Sequence, residues 1–142
     1  MACKCASIPR EVGVGASCAA NEADAPRART TFEWLREKRF LIQRWEVDHP
    51  DAPDGIAIIG LDPDTGKLLQ HYFDSRGVAR VYEMTFVDKV LKLERSAVAP
   101  DFSQRFTGTI DEDGDTIVGR WEHSSDGSTW NDDFGLTYTR VR

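Results

Sequence analysis

The sequence predicts an all-β protein, an antiparallel up-and-down barrel of about nine strands. Three observations predict it. From Thr31 to Arg142 short β-rich runs alternate with turn signals, and no segment carries a convincing helical period. The separators are rich in Asp and Gly: Asp62-Pro63-Asp64-Thr65-Gly66, Asp74-Ser75-Arg76-Gly77, Asp88-Lys89, Asp113-Gly114 and Asp126-Gly127. Asp-Gly between β-runs favours hairpin turns, because those turns need positive φ. An even meander of this kind removes its exposed edges by closing on itself.

The runs fall at 31–35, 40–47, 55–61, 67–73, 78–87, 90–96, 102–110, 115–124 and 129–141. The stretch Phe32 to Arg44 is the one helix candidate. Its mixture of β-branched, aromatic and charged residues reads better as two strands around Arg36-Glu37-Lys38. Residues 1–29 differ from the rest: they are alanine-rich, lack aromatic residues and show no period. They read as a disordered or poorly packed leader, with the barrel domain over 30–142. Arg10 and Glu11 interrupt any signal-peptide core.

Composition bounds the function. With 18 basic and 24 acidic residues the net charge is -6, so a basic footprint for nucleic acid is missing. No apolar run approaches the roughly 20 residues of a membrane-spanning helix. All three cysteines, Cys3, Cys5 and Cys18, lie in the leader, which excludes a disulfide framework for the barrel. A reducing, cytoplasmic location is the simpler expectation. The leader carries a slight positive excess, leaving the barrel near -7.

Hairpin registers then assign faces, since a slip of one residue flips every side chain. A two-residue turn at Ser75-Arg76 pairs Phe73 with Val78, His71 with Arg80 and Leu69 with Tyr82. Asp88-Lys89 pairs Phe86 with Leu91 and Met84 with Leu93. A turn over 63–66 sets Ile56, Ile58 and Gly60 beside Phe73, His71 and Leu69. Asp113-Gly114 pairs Ile110 with Ile117, Phe106 with Trp121 and Gln104 with His123, with Arg105 meeting Glu122 outside. Asp126-Gly127 pairs His123 with Trp130, Trp121 with Asp132 and Ile117 with Leu136. The expected lumen is plugged at one end by Phe86, Leu91, Ile110, Ile117, Leu136 and Gly60. It is polar, basic and aromatic at the mouth.

These registers give the candidate ligand-binding set: His71, Phe73, Arg80, Tyr82, Arg95, Gln104, Trp121, His123, Trp130 and Asp132. Arg80 and Arg95 would take a carboxylate or phosphate, and Phe73, Tyr82, Trp121 and Trp130 would bury an apolar body. The expected ligand is an amphipathic anionic or aromatic molecule. Three alternatives stand beside it. The inward polar residues are a wetted rim; or His71, His123 and Asp132 serve a metal or haem; or the barrel is filled and serves as an interaction module. No catalytic residue and no cofactor is called for. Asp111-Glu112-Asp113-Gly114-Asp115 fails as a calcium loop, because Arg120 stands where the last acidic ligand belongs. Nucleotide-loop and nucleophile-elbow motifs are absent, and Cys3-Lys4-Cys5 with Cys18 lacks a fourth metal ligand.

The stretches His71-Tyr72-Phe73-Asp74-Ser75-Arg76-Gly77-Val78 with Arg80-Val81-Tyr82-Glu83-Met84, then Asp101 to Thr109 and Trp130 to Tyr138, resemble a bacterial family of uncharacterised proteins. This is the group of DUF1579-like proteins, similar to lipocalins and other calycins. The resemblance spans about 30–142. It implies a calycin-like barrel that holds a small molecule, and it assigns no residue a role. Members usually start with a Gly-x-Trp first strand, and residues 1–29 contain no tryptophan. A missing strand would leave an edge for the leader to cover, for a homodimer to use, or to stay open.

Overall fold

Nine consecutive antiparallel strands run through the chain and curl into a barrel. The computed structural model describes residues 12–19 and 27–141. The nine strands are β2 (Arg27–Trp34), β3 (Phe40–Val47), β4 (Gly55–Leu61), β5 (Leu68–Asp74), β6 (Ala79–Val87), β7 (Val90–Arg95), β8 (Ser103–Ile110), β9 (Thr116–Ser124) and β10 (Asn131–Arg140). A further strand, β1 (Val12–Ala19), pairs with β2 on one side and β10 on the other and closes the circle. The edge that the lack of a first strand would have left is thus filled by backbone from the segment read as a leader. Residues 27–29 of that segment open β2, and the remainder, Cys3 and Cys5 included, lies outside the described residues. No helix is long and apolar enough to cross a membrane among the described residues.

The residues between Phe32 and Arg44 form the expected hairpin, with a single 3-10 turn at Arg36–Lys38. Leu35 N–H donates to Phe40 O at 3.0 Å and closes it. Asp88 and Lys89 adopt φ of 51° and 64°, the mirror-image turn that matches strand twist, and Phe86 faces Leu91 as expected. The β8–β9 registers also follow expectation, from Ile110 with Ile117 to Gln104 with His123.

The 74–78 turn differs. Asp74 N–H donates to Val78 O and Gly77 N–H to Asp74 O, so the loop holds three residues rather than two. Gly77 takes φ of 83°, the left-handed position such a loop requires. Phe73 therefore faces Ala79, Tyr72 faces Arg80 and Gln70 faces Tyr82. One extra loop residue inverts the faces of β5. The β4–β5 register is as expected, so β4 inverts with it. Ala57 and Ile59 point in, and Ile56, Ile58, Leu69, His71 and Phe73 point out. Gly60 likewise lies on the outer face, under the Phe40 ring.

The 125–130 turn is also one residue longer in register, with His123 facing Asn131. A bulge between Asp132 and Phe134 then restores the face, so Trp121 meets Phe134, Gly119 meets Leu136 and Ile117 meets Tyr138. Two irregularities cancel along β10, except at Asp132 itself, which faces Glu122 on the outer side.

The core comprises Phe32, Leu41, Ile59, Tyr82, Met84, Leu91, Leu93, Phe106 and Leu136. A Cβ on Gly119 would stand 2.1 Å from the Phe106 ring, so glycine there makes room for that ring across the floor. Leu91, Ile110, Ile117 and Leu136 are buried at the base as expected, while Phe86 is half exposed.

Candidate functional site

In an up-and-down barrel alternate connections share an end. The connections 48–54, 75–78, 96–102 and 125–130 form the mouth. Beneath them lies a cavity of about 680 Å³, within the size range of small-molecule sites. Ile59, Met84, Leu91, Leu93 and Ile117 line its depths, and Asp51, Arg76, Arg80 and Asp133 line its upper part. The gradient from dry floor to polar mouth matches expectation. The mouth is mixed rather than uniformly basic: Asp51 and Asp133 are exposed at the rim, whereas Arg80 is half-buried.

A belt of six rings runs around and across the lumen. Trp45 stacks on Tyr72, with centroids 5.2 Å apart and planes 26° apart. Tyr72 meets Tyr82 edge-on at 6.1 Å, and Tyr82 meets Trp121 at 5.5 Å. Trp121 tilts against Phe106 at 5.3 Å, and Phe106 meets Tyr138 at 6.5 Å. Strands β7 and β8 lie between β6 and β9 in the sheet, so the Tyr82–Trp121 contact is a chord across the lumen. The Trp45 indole N–H donates to Pro53 O at 3.1 Å, tying the belt to the 48–54 connection.

Two polar clusters stand side by side on this wall. In the first, Tyr72 OH donates to Asp74 Oδ2 at 2.6 Å, and Arg76 donates to the same carboxylate through Nη2 at 2.7 Å and Nε at 3.3 Å. The Asp74 carboxylate is fully buried. Burial alone would raise its pKa, but the hydrogen bonds from Arg76 and Tyr72 outweigh burial and hold it at about 2. Burial and the Asp74 carboxylate together push the Tyr72 hydroxyl up, so it stays a donor.

In the second cluster, Gln104 Oε1 accepts from Arg80 Nη1 at 2.7 Å and from Tyr82 OH at 2.8 Å. The Arg80 guanidinium lies 5.1 Å from the Phe102 ring centroid, within cation–π reach. Burial raises the Tyr82 pKa against the pull of Arg80. Among the described residues, Arg80 is the cavity-lining cation with no carboxylate in ion-pair range; Arg76, the other, is matched by Asp74.

Of the ten residues expected at the site, Arg80, Tyr82, Gln104 and Trp121 line the cavity together. His71 and Phe73 lie on the outer face, inverted by the three-residue loop; His71 sits in a shallow hollow with Phe40, Ile58 and Leu69. Arg95 bonds the Phe102 carbonyl at 3.0 Å and the Asp101 carboxylate, so it braces the 96–102 connection. His123 stands beside the cavity, 6.4 Å from the Phe102 ring. Trp130 packs outside, 4.1 Å below the Arg105 guanidinium, which also grips Glu122 at 2.6 Å. Asp132 pairs outside with Arg120 at 3.1 Å, and its neighbour Asp133 reaches the cavity instead. His71, His123 and Asp132 do not converge, and no group of three metal-ligating side chains occurs among the described residues. Asp111 Oδ1 accepts from Asp115 N–H and Thr116 N–H, the bonds of a hairpin turn.

The residues that register reasoning missed are Gln43, Trp45, Gln70 and Tyr72, all lining the cavity. The signal was present in Gly77, whose position after Asp74-Ser75-Arg76 fits a three-residue loop as well as a two-residue one. Comparison of the chain with protein-family models and with curated proteins finds no match.

Proposed function

We propose that this protein binds an amphipathic organic anion in the barrel lumen, as a calycin-like member of the DUF1579-like group. The observation that carries the reading is Arg80: a half-buried cation with no carboxylate in ion-pair range among the described residues, at the upper wall of an apolar and aromatic cavity; Asp101, already paired with Arg95, acts on it only at longer range. A cation without a contact ion pair in such surroundings gains from an incoming carboxylate or sulfonate through charge-assisted hydrogen bonds. Gln104 fixes the guanidinium from one side and Phe102 from below, so little ordering remains for the ligand to impose. The open lumen weighs against the alternative of a filled interaction module. The scatter of His71, His123 and Asp132 weighs against the metal triad, and neither histidine lines the cavity where a haem would sit. The cysteine distribution supports a reducing, cytoplasmic setting.

Calorimetric titration with 2-naphthoate tests the reading. The wild-type chain binds it, and Arg80→Met weakens binding tenfold or more while the melting temperature changes little. Equal affinity in both proteins contradicts the anion site.

A further inference from the structure

Beside and below Arg80 the lumen carries a second polar feature. Gln70 Nε2 donates to Gln43 Oε1 at 3.2 Å, and both residues are buried and line the cavity. They belong to β5 and β3, with β4 between them. Gln43 faces Ala57 and Gln70 faces Ile59, the next inward residue of β4, so the two glutamines meet on a diagonal past the small, fully buried Ala57. Among the described residues no protein group hydrogen-bonds Gln43 Nε2 or Gln70 Oε1. Neither atom is enclosed and orphaned in the wall. The amide pair therefore offers the lumen a donor and an acceptor side by side.

Depth follows from the register. Gln70 faces Tyr82, two residues deeper than Arg80 on the same strand, while Gln43 lies level with Arg80 through Ala57 and Tyr72. Two residues of strand are about 7 Å. The wall between the two polar points is built from the Trp45, Tyr72 and Tyr82 rings.

We propose that the Gln43–Gln70 pair is a second recognition point, and that the ligand class is a flat aromatic acid. Its acid group meets Arg80, and its far edge bears a hydroxyl or amide that the glutamines read. A two-ring skeleton spans the separation; a flexible alkyl acid would leave the amide pair desolvated and unmatched, which is costly. This inference rests on the lumen-binding reading and specifies its ligand.

The test compares three probes on the full chain: 6-hydroxy-2-naphthoate, 2-naphthoate and dodecanoate. The expected result is that the hydroxylated acid binds about tenfold tighter than 2-naphthoate, and both tighter than dodecanoate. In Gln70→Met, a substitution of similar volume, the hydroxylated acid loses its advantage over 2-naphthoate, and a cooperative thermal transition shows that the variant is folded. Equal binding of the two naphthoates by the wild-type chain, or tighter binding of dodecanoate, overturns this inference and leaves the lumen reading standing. Failure of all three probes overturns the lumen reading itself. The wild-type comparison decides the matter even if Gln70→Met does not fold.

Discussion

The two polar clusters at the mouth are built from the same parts, yet they differ in one respect. Each has a tyrosine hydroxyl and an arginine donating to a single side-chain acceptor. In the Tyr72–Asp74–Arg76 cluster the acceptor is a carboxylate, so the charge is balanced within the protein. In the Tyr82–Gln104–Arg80 cluster the acceptor is an amide, which holds the arginine in place without neutralising it. The first arrangement ties a turn to the barrel wall; the second leaves a positioned charge facing the cavity. The difference between the two clusters is the identity of one acceptor.

The largest expected effect breaks the balanced cluster. Asp74→Ala removes a buried carboxylate and leaves the Tyr72 hydroxyl without an acceptor, at a cost of about 3 kcal/mol in urea unfolding. Binding of 2-naphthoate per folded molecule does not weaken, because Arg80 is untouched and Arg76, also at the cavity, loses its carboxylate. A smaller effect comes from acid. The Asp74 pKa is held at about 2, below its ordinary value of 3.8. Its stabilisation is therefore complete above about pH 4 and is lost as pH falls through about 2. Unfolding free energy should fall across that window in the wild-type chain. Asp74→Asn should fall less steeply, although Asp126, also held at about 2 by the Thr129 and Ser128 N–H groups and the Ser124 hydroxyl, keeps part of the slope.

Much of the fold was legible in the sequence, and the reason is parity. Strand runs and turn residues gave the meander, and wherever the paired residues around a turn were counted correctly, the faces followed. Asp88-Lys89 and the 111–115 turn met that condition, so Arg80, Tyr82, Gln104 and Trp121 were placed in the lumen. At Asp74-Ser75-Arg76-Gly77 a single miscounted residue turned β4 and β5 inside out. Local composition gave no warning, since Leu69, His71 and Phe73 look more apolar than Gln70, Tyr72 and Asp74. The barrel buries the more polar set there because those residues find partners in one another: Gln70 in Gln43, Tyr72 in Asp74, Asp74 in Arg76. The first joins two strands, the second lies within β5 and the third joins β5 to its turn, and hydrophobic periodicity carries none of them. The Asp132–Phe134 bulge hid in the same way, exchanging Asp132 for Asp133 at the cavity.

The smallest change in stability carries the most decisive test. Gln104→Glu is nearly isosteric and keeps both acceptor bonds, so unfolding shifts by less than about 1 kcal/mol. It converts the second cluster into a copy of the first, with Arg80 neutralised from within. Calorimetric titration of the wild-type chain and Gln104→Glu with 2-naphthoate and with neutral 2-naphthamide measures the consequence. The expected result is a tenfold or greater loss of affinity for the acid alone, with the amide unaffected. Unchanged affinity for the acid would contradict the proposal that Arg80, free of a contact ion pair, is what this lumen uses to hold its ligand.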